Sequence, residues 1–262
     1  MHFLTACPPF RLRSFVDKEG SEFYHRFTDA LSAVTSRNSV SPIRFFFQLI
    51  KDFQGVDKRY GQIAVSDFLE YLSNELSNLF DHIRFDLVTK LQCLKCKWLS
   101  YRVSKDLLFK LYIPPSTTRC TLFELLDYNM KAISQDESIY CGKCRQKTGH
   151  RFTLEHGSDF IILEVIRVSE LKSRHRLSWR KNTLPISFPT SGISVPGTKR
   201  KYQVIATCHH RGTLQAGHWI TKLMMSNKIW YGCDDLKPEN SVTNPPGLND
   251  SSVVLLLLMA ES

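Results

Sequence analysis

The sequence has no long hydrophobic run. The longest, residues 253–259, is far shorter than the about 18 residues that a membrane-spanning helix requires, so we expect no membrane partner. The first nine residues are too few, and too interrupted by proline, to form a signal peptide. Internal repeats and low-complexity segments are also absent. We therefore expect an intracellular protein, in the cytoplasm or the nucleus, whose 262 residues and 42 % hydrophobic content allow a sizeable core.

Acidic residues are fewer than basic ones, 25 against 35, which gives a formal charge of +10. Such a field can attract nucleic acid or an acidic protein surface. The densest basic cluster lies within residues 167–181, where interleaved aromatic side chains are limited to Trp179. Because single-strand binding relies on interleaved aromatic side chains, we interpret this cluster as a solvated loop between two strands. Nucleic acid is therefore disfavoured as a partner.

Two of the cysteine pairs have the spacing of metal ligands. Cys93 and Cys96 form the first Cys-x-x-Cys pair, and Cys141 and Cys144 form the second. Four thiolates complete a closed tetrahedral shell, so the sequence predicts a structural zinc ion. Disulfides in a secreted protein are the alternative, which this pairing disfavours. The lone Cys120 is expected to be a core residue.

Hydrophobic periodicity predicts helices in the first third of the chain and strands in the rest. Apolar residues recur at helical spacing over residues 63–79, and the alternation at 83–87 predicts a strand that leads into the first cysteine pair. Thr121 and Glu124 have the spacing of a capping box that opens a short helix. Further strands, in a mainly antiparallel half, are predicted at 107–112, 160–168, 202–207, 219–225, 229–233 and 253–258.

A histidine and two acidic residues flank a predicted hairpin with its turn near residues 226 and 227. If these two residues form the loop, His218 faces Asp235; if the loop is 225–227, His218 faces Asp234. Directly opposed residues have Cβ atoms about 5 Å apart. A carboxylate on one imidazole nitrogen fixes the tautomer and supports the imidazolium state. Either pair is therefore the orienting half of a cysteine or serine hydrolase site.

Several short motifs follow one another in a particular order along the chain. They are Gly61-Gln62 to Phe68-Leu69, the first cysteine pair, Ile113-Pro114, Tyr128, the second cysteine pair, Arg180-Lys181, Ile186-Ser-Phe188-Pro189, Tyr202, His210-Arg-Gly212, Gly217-His218-Trp219, Trp230 with Asp234-Asp235, and Ser252-Val253. This order, from about residue 4 onward, resembles the ubiquitin-specific protease family.

The resemblance implies an α+β, papain-like fold in a single domain spanning residues 1–262. A partial helical thumb would occupy 1–80, zinc-ribbon fingers 83–155, and an antiparallel β palm 158–262. The partners that it implies are ubiquitin or ubiquitinated proteins. No cofactor besides the structural zinc is expected.

The resemblance also implies site residues. His218 matches the general base, and Asp234 lies four residues after Trp230, where the family places the orienting residue. Asp235 is the neighbour that the hairpin argument leaves open. Residues 210–216 match a loop that borders the channel for the ubiquitin tail.

The family's nucleophile lies in an N-terminal box of the type Gly-Asn-Thr-Cys-Tyr-x-Asn, which this sequence does not contain. Residues 1–11 resemble the stretch just after that box, so we expect the chain to begin downstream of it. Cys7 is a poor substitute because the two prolines that follow it supply no N–H donors. Cys208 and Cys233 are better explained as small core residues.

Three functions follow as hypotheses. The first is a thiol-dependent deubiquitinase whose cysteine lies upstream, inactive as written; His218 and Asp234 favour it, because a binding module needs no base. The second is a catalytically dead pseudoenzyme that binds ubiquitin, which Trp219 in place of the family's tyrosine favours. The third, a zinc-ribbon protein that binds nucleic acid, is the weakest because the palm pattern continues after Cys144.

Overall fold

The computed structural model describes most of the chain from residue 64 onward. The described residues are 64–75, 77–81, 83–93, 95–115, 117–131, 134–156, 158–173, 176–234 and 241–261. The first 63 residues of the predicted thumb, which include Cys7 and Gly61-Gln62, lie outside them, as does Asp235. Within these ranges, no helix is long and apolar enough to cross a membrane.

The described helices are short and amphipathic. They are α1 (Val65–Glu75), α2 (Ser77–Phe80) and α3 (Leu122–Lys131). The described part of the stripe at 63–79 is helical, as predicted, and it buries Leu69 and Leu72. The capping box before α3 is confirmed, since the N–H of Glu124 donates to Thr121 Oγ1 at 3.2 Å and the N–H of Thr121 donates to Glu124 Oε2 at 2.8 Å.

Strands make up most of the rest of the described chain. They are β1 (Phe85–Cys93), β2 (Leu99–Asp106), β3 (Leu108–Tyr112), β4 (Cys120–Thr121), β5 (Ser134–Tyr140), β6 (Lys147–His156), β7 (Phe160–Ile166), β8 (Val168–Ser173), β9 (Arg176–Lys181), β10 (Ile186–Ser187), β11 (Ile193–Ser194), β12 (Lys201–Gly212), β13 (Gly217–Met224), β14 (Trp230–Cys233), β15 (Ser241–Val242) and β16 (Val253–Ala260).

A four-stranded sheet in the order β2-β1-β6-β5 carries the cysteine pairs. Its strand pairs are antiparallel. The first pair lies in the turn between β1 and β2, and the second lies in the turn between β5 and β6. Since β1 and β6 are neighbours in register, with Cys93 opposite Thr148, the two turns meet at one end of the sheet.

The larger sheet has the order β15-β14-β13-β12-β16-β7-β3, with β11 paired to β12. It is antiparallel except for the β3–β7 pair. Strands β7 and β16 are almost wholly apolar because both of their faces are covered. Ile162 and Leu257 pack with α1 on one face, whereas Ile161 and Leu258 pack with α3 on the other. The sheet therefore carries a core on each side.

The basic cluster at 167–181 is not the solvated loop that we predicted. Its residues form the antiparallel hairpin β8–β9, and Arg167 just before it is buried. The guanidinium of Arg167 donates to four backbone carbonyls, and burial lowers its pKa to about 10. The acceptors are the carbonyls of Val253 at 2.6 Å, Leu184 at 2.9 Å, Asp250 at 3.0 Å and Asn182 at 3.2 Å.

A candidate thiol-hydrolase site and a four-cysteine metal site

The larger sheet brings His218 and Asp234 together. His218 is the second residue of β13, and Asp234 directly follows β14, the next strand in the sheet. His218 Nε2 lies 2.7 Å from Asp234 Oδ1, a hydrogen-bond distance. The imidazole side chain is 30 % exposed and the carboxylate 14 %, so the pair lies at the surface with its carboxylate largely covered. Asp235 falls outside the described residues.

The register that creates this pair differs from both predicted registers. Thr221 lies opposite Cys233 and Met224 lies opposite Trp230. The turn therefore comprises residues 226–228, closed by a hydrogen bond from the N–H of Met225 to the carbonyl of Ile229, with Lys228 in the left-handed region at φ 60°. A straight continuation would place Asp234 opposite position 220, so it reaches His218 diagonally rather than directly across the ladder.

The contact determines which nitrogen of His218 can act on a substrate. A carboxylate at Nε2 holds the proton on that nitrogen, which leaves Nδ1 as the basic nitrogen of the neutral ring. The same carboxylate stabilises the imidazolium that forms when Nδ1 accepts a proton. The arrangement is thus able to deprotonate a thiol or hydroxyl placed at Nδ1 and to return the proton to a leaving group.

A second histidine, His210 on β12, packs against β13, the strand that carries His218. His210 is 7 % exposed, its ring lies 4.5 Å from that of Trp219, and its Nε2 has no hydrogen-bond partner among the described residues. Burial, with the nearby charge of Lys181, lowers the pKa of His210. Gly217 is required here, because a Cβ at that position would sit 2.2 Å from His210 Nε2 and 2.3 Å from the carbonyl oxygen of Arg211.

Lys181 fixes the end of the same hairpin. Its ammonium donates to the carbonyl of His210 at 2.7 Å and to that of Gly212 at 3.0 Å. The sequence places Lys181 in a motif of the resemblance but gives no sign of this contact, which joins residues about 30 positions apart. Lys181 thereby holds the loop at 213–216 from the β12 side, next to Gly217.

A buried polar network joins β12 to the segment that precedes β16. His209 Nε2 is 2.7 Å from Thr207 Oγ1, while its Nδ1 is 3.2 Å from both Ser252 Oγ and an oxygen of Asp250. Burial alone would raise the pKa of Asp250, but the hydrogen bond and charge of His209, with donors from Ser252, hold that pKa well below its usual range. Sequence patterns did not identify this network, because its members are about 40 residues apart.

The two cysteine pairs come together as the sequence predicted. Cys93 Sγ lies 3.4 Å from Cys144 Sγ, and Cys96 Sγ lies 3.7 Å from Cys141 Sγ. All four sulfur atoms lie within 4.8 Å of one another. These separations are far longer than a disulfide bond, and the described cysteines are all free thiols.

The donor set fits a zinc ion. The backbone N–H of Cys96 points at Cys93 Sγ from 3.3 Å and lowers the pKa of that thiol to about 6. Cys96 itself receives the N–H of Trp98, but burial and the neighbouring sulfurs raise its pKa to about 11. Several thiolates this close repel one another unless a cation neutralises them, and four thiolate ligands are typical of structural zinc. The four cysteines can therefore hold a zinc ion.

The other described cysteines are core residues. Cys120, Cys208 and Cys233 are all buried. Burial raises the pKa of Cys120 and of Cys233 to about 11 and that of Cys208 to about 12, so none of them is a thiolate near neutral pH. The expectation that these three are small core residues is confirmed. The nucleophile that His218 would serve is therefore not among the described cysteines.

Comparison with known proteins gives the family. The model of the family described as ubiquitin carboxyl-terminal hydrolase matches residues 1–256. The chain belongs to the ubiquitin carboxyl-terminal hydrolase family. This member of the family is 25 % identical over 207 residues to human ubiquitin carboxyl-terminal hydrolase 21, and the matched region covers 73 % of the chain and 35 % of the relative. It is 25 % identical over 194 residues to ubiquitin carboxyl-terminal hydrolase 46 of Caenorhabditis elegans, which covers 70 % and 45 %.

Solved structures share the hydrolase fold. The SAGA DUB module of Ubp8, Sgf11, Sus1 and Sgf73 bound to monoubiquitin matches with a TM-score of 0.73 and 20 % identity, covering 92 % of this chain and 59 % of that one. The same module bound to ubiquitin aldehyde matches with a TM-score of 0.72 and 18 % identity, covering 95 % and 61 %. The predicted family and α+β fold are confirmed. The chain spans 35 % of the length of one of these curated relatives and 45 % of the other.

Proposed function

We propose that this chain is the ubiquitin-recognising body of a thiol-dependent deubiquitinase, with His218 as the general base and Asp234 as its orienting carboxylate. The observation that carries the proposal is the 2.7 Å contact between His218 Nε2 and Asp234 Oδ1 on adjacent strands of this fold. Family membership supports the reaction, and the ubiquitin-bound structural neighbours support ubiquitin as the partner.

The reaction that this geometry supports is acyl transfer through a cysteine. His218 Nδ1 takes the proton of a thiol, and the thiolate attacks the carbonyl of the ubiquitin C-terminal glycine. The C–N bond to the substrate amine breaks, His218 returns the proton to that amine, and a thioester remains. Water then attacks the thioester with His218 again as the base, which frees ubiquitin and restores the thiol.

A second candidate is a pseudoenzyme that binds ubiquitin without cleaving it. It is favoured by the burial of Cys120, Cys208 and Cys233, which keeps these thiols from serving His218. The two candidates share ubiquitin recognition and differ only in the supply of a nucleophile.

The test separates binding from cleavage. Ubiquitin affinity is measured on the 262-residue chain by titration calorimetry, and hydrolysis of a fluorogenic ubiquitin amide is measured on the longest natural form of the protein. We expect His218→Ala to lower kcat by about a thousandfold or more while the ubiquitin affinity stays within about twofold. Asp234→Asn should lower kcat less strongly, because the amide still orients the ring but stabilises the imidazolium less.

Ser226→Ala, in the exposed turn of the same hairpin, is the matched control and should leave both quantities unchanged. Unchanged turnover in His218→Ala would show that His218 is not the general base. Ubiquitin binding without hydrolysis by any natural form would favour the pseudoenzyme. Failure of the chain to bind ubiquitin would overturn both candidates.

A further inference from the structure

The two cysteine turns, at one end of the four-stranded sheet, carry a group of positive charges. Residues 90–102 and 140–151, which we call the basic tip, together contain eight lysines and arginines and no aspartate or glutamate. The strands of the same sheet carry five acidic residues outside these ranges, Asp86, Asp106, Asp136, Glu137 and Glu155. The cations of the tip are Lys90, Lys95, Lys97, Arg102, Lys143, Arg145, Lys147 and Arg151. Positive charge grouped in this way suits an anionic partner at the tip.

The two cysteine turns present their cations in the same way. In each turn a basic residue precedes the second cysteine and another follows it. The N–H of Lys97 donates to the carbonyl of Cys93 at 3.1 Å, and the N–H of Arg145 donates to that of Cys141 at 2.8 Å. The second cation of each turn therefore occupies an equivalent position beside the metal site.

Lys97 and Arg145 occupy a backbone conformation that glycine adopts most easily. Their φ angles are 60° and 57°, in the left-handed region where a side chain introduces strain. Both turns nevertheless carry a cation at this position. The hydrogen bond that closes each cysteine turn accounts for this conformation, which Lys228 also adopts in its hairpin turn. The two cysteine turns share an exposed cation at the position.

Exposed aromatic rings lie among these cations. Trp98, Tyr101 and Tyr140 are 40 %, 59 % and 59 % exposed. The ring of Trp98 lies over the second cysteine turn, since a Cβ on Gly142 would be 3.6 Å from Trp98 Cη2. Tyr101 is the ladder partner of Lys90 on the neighbouring strand β1. Rings thus alternate with positive charge across the tip.

We propose that the basic tip binds single-stranded nucleic acid. The cations of the two turns neutralise phosphates, and the three exposed rings stack on unpaired bases. Aromatic side chains also occur in protein interfaces, so an acidic protein surface is the competing occupant that the experiment below distinguishes. In the basic cluster at 167–181, Arg167 is buried and the ammonium of Lys181 is bound to two carbonyls, so neither of these two cations is free to bind a phosphate.

Fluorescence anisotropy of labelled oligouridine and oligothymidine of about 20 nucleotides, titrated with the zinc-loaded chain, tests the proposal. We expect the double variant Lys95→Glu/Lys143→Glu to weaken binding at least about tenfold. Loss of two phosphate contacts should also lower the slope of log affinity against log salt by about 1.4. Tyr101→Ala should weaken binding about fivefold or more, whereas Tyr101→Phe, which keeps the ring, should bind like the native chain.

The matched control is Arg119→Glu/Lys199→Glu, which changes the net charge equally at two exposed positions outside the tip and should weaken binding less than about threefold. Zinc content and circular dichroism establish that each variant is folded. No binding by the native chain, or an equal loss in both double variants, would overturn the proposal. Polyglutamate that competes as well as RNA, with Tyr101→Ala unaffected, would overturn it in favour of an acidic protein partner.

Discussion

The two candidate sites of this chain are held in place by different forces. His218 and Asp234 project from neighbouring strands of a sheet that is covered on both faces by apolar cores, so the backbone ladder sets their separation. The four cysteines lie in turns at the end of a sheet whose outer strand β2 is exposed along almost its whole length. The His218–Asp234 pair is thus positioned by hydrophobic burial, whereas the cysteine site is expected to depend on a bound metal ion.

The largest expected effect is the loss of the metal site. Cys93→Ser removes one of the four thiolates, so we expect the chain to lose its zinc and the amides of β1 and β2 to lose protection from hydrogen exchange. Structural zinc contributes on the order of 10 kcal/mol in zinc-finger peptides, so the loss should be large locally. The amides of β12 and β16 should stay protected, because the apolar cores of the larger sheet do not contain the metal site.

Metal content and hydrogen exchange followed by mass spectrometry measure this effect. Cys120→Ser is the matched control, since Cys120 is a buried cysteine outside the metal site, and it should retain the zinc. Equal loss of protection from hydrogen exchange in both sheets would show that the two sheets do not unfold independently. A metal-free chain with fully protected β1 and β2 would show that the cysteine site needs no ion.

The next effect tests the larger sheet alone. Arg167→Met leaves four backbone carbonyls without their donor, so the free energy of unfolding should fall by about 3 kcal/mol or more. Urea denaturation monitored by tryptophan fluorescence measures it. Arg180→Met, exposed on β9, is the control and should change stability by less than about 0.5 kcal/mol. Similar losses in both variants would mean that the buried hydrogen bonds add little.

Sequence patterns predicted the features that depend on local spacing. Strands β7 and β16 were visible as apolar runs, the capping box at Thr121 as a pair three residues apart, and the metal site as two cysteine pairs. Each of these follows from residues that are close together in the chain or from one repeated residue type.

Features that depend on long-range partners could not be predicted. The buried role of Arg167 depends on carbonyls up to 86 residues away, and the network of His209 depends on Asp250 and Ser252. The His218–Asp234 contact was expected, but both predicted registers were wrong because Lys228, rather than a glycine, adopts the left-handed conformation that closes the turn. A lysine gives no sequence signal for that conformation.

Replacing one glycine in each region by alanine compares how tightly the two regions are packed. An alanine at Gly217 would place its Cβ 2.2 Å from His210 Nε2 and 2.3 Å from the carbonyl oxygen of Arg211, whereas one at Gly142 would make an ordinary 3.6 Å contact with Trp98. Gly217→Ala should therefore cost about 1–3 kcal/mol of unfolding free energy, and Gly142→Ala less than about 0.5 kcal/mol. Urea midpoints measure both. Equal costs would show that β12 and β13 can separate to accept a side chain.

The smallest effect is a pH dependence of stability confined to the larger sheet. The pKa of Asp250 is lowered in the folded state, chiefly by His209 and by the N–H and O–H of Ser252, in spite of its burial. The unfolded chain therefore binds this proton more readily, so the stabilisation is complete above the unfolded value of about 3.9 and is lost as the pH falls toward the folded value.

Asp250→Asn should accordingly flatten the acid side of the stability curve below about pH 5, at a cost near neutral pH of about 1 kcal/mol. Asp159→Asn is the control, because Asp159 is exposed and pairs only at the surface with Arg200. Urea unfolding at a series of pH values measures the effect, with hydrogen exchange separating β12 and β16 from β1 and β2. If the stability of Asp250→Asn still falls with pH as in the native chain, other carboxylates control the acid stability of the larger sheet. If hydrogen exchange changes only in β1 and β2, the network does not stabilise the sheet that carries His218.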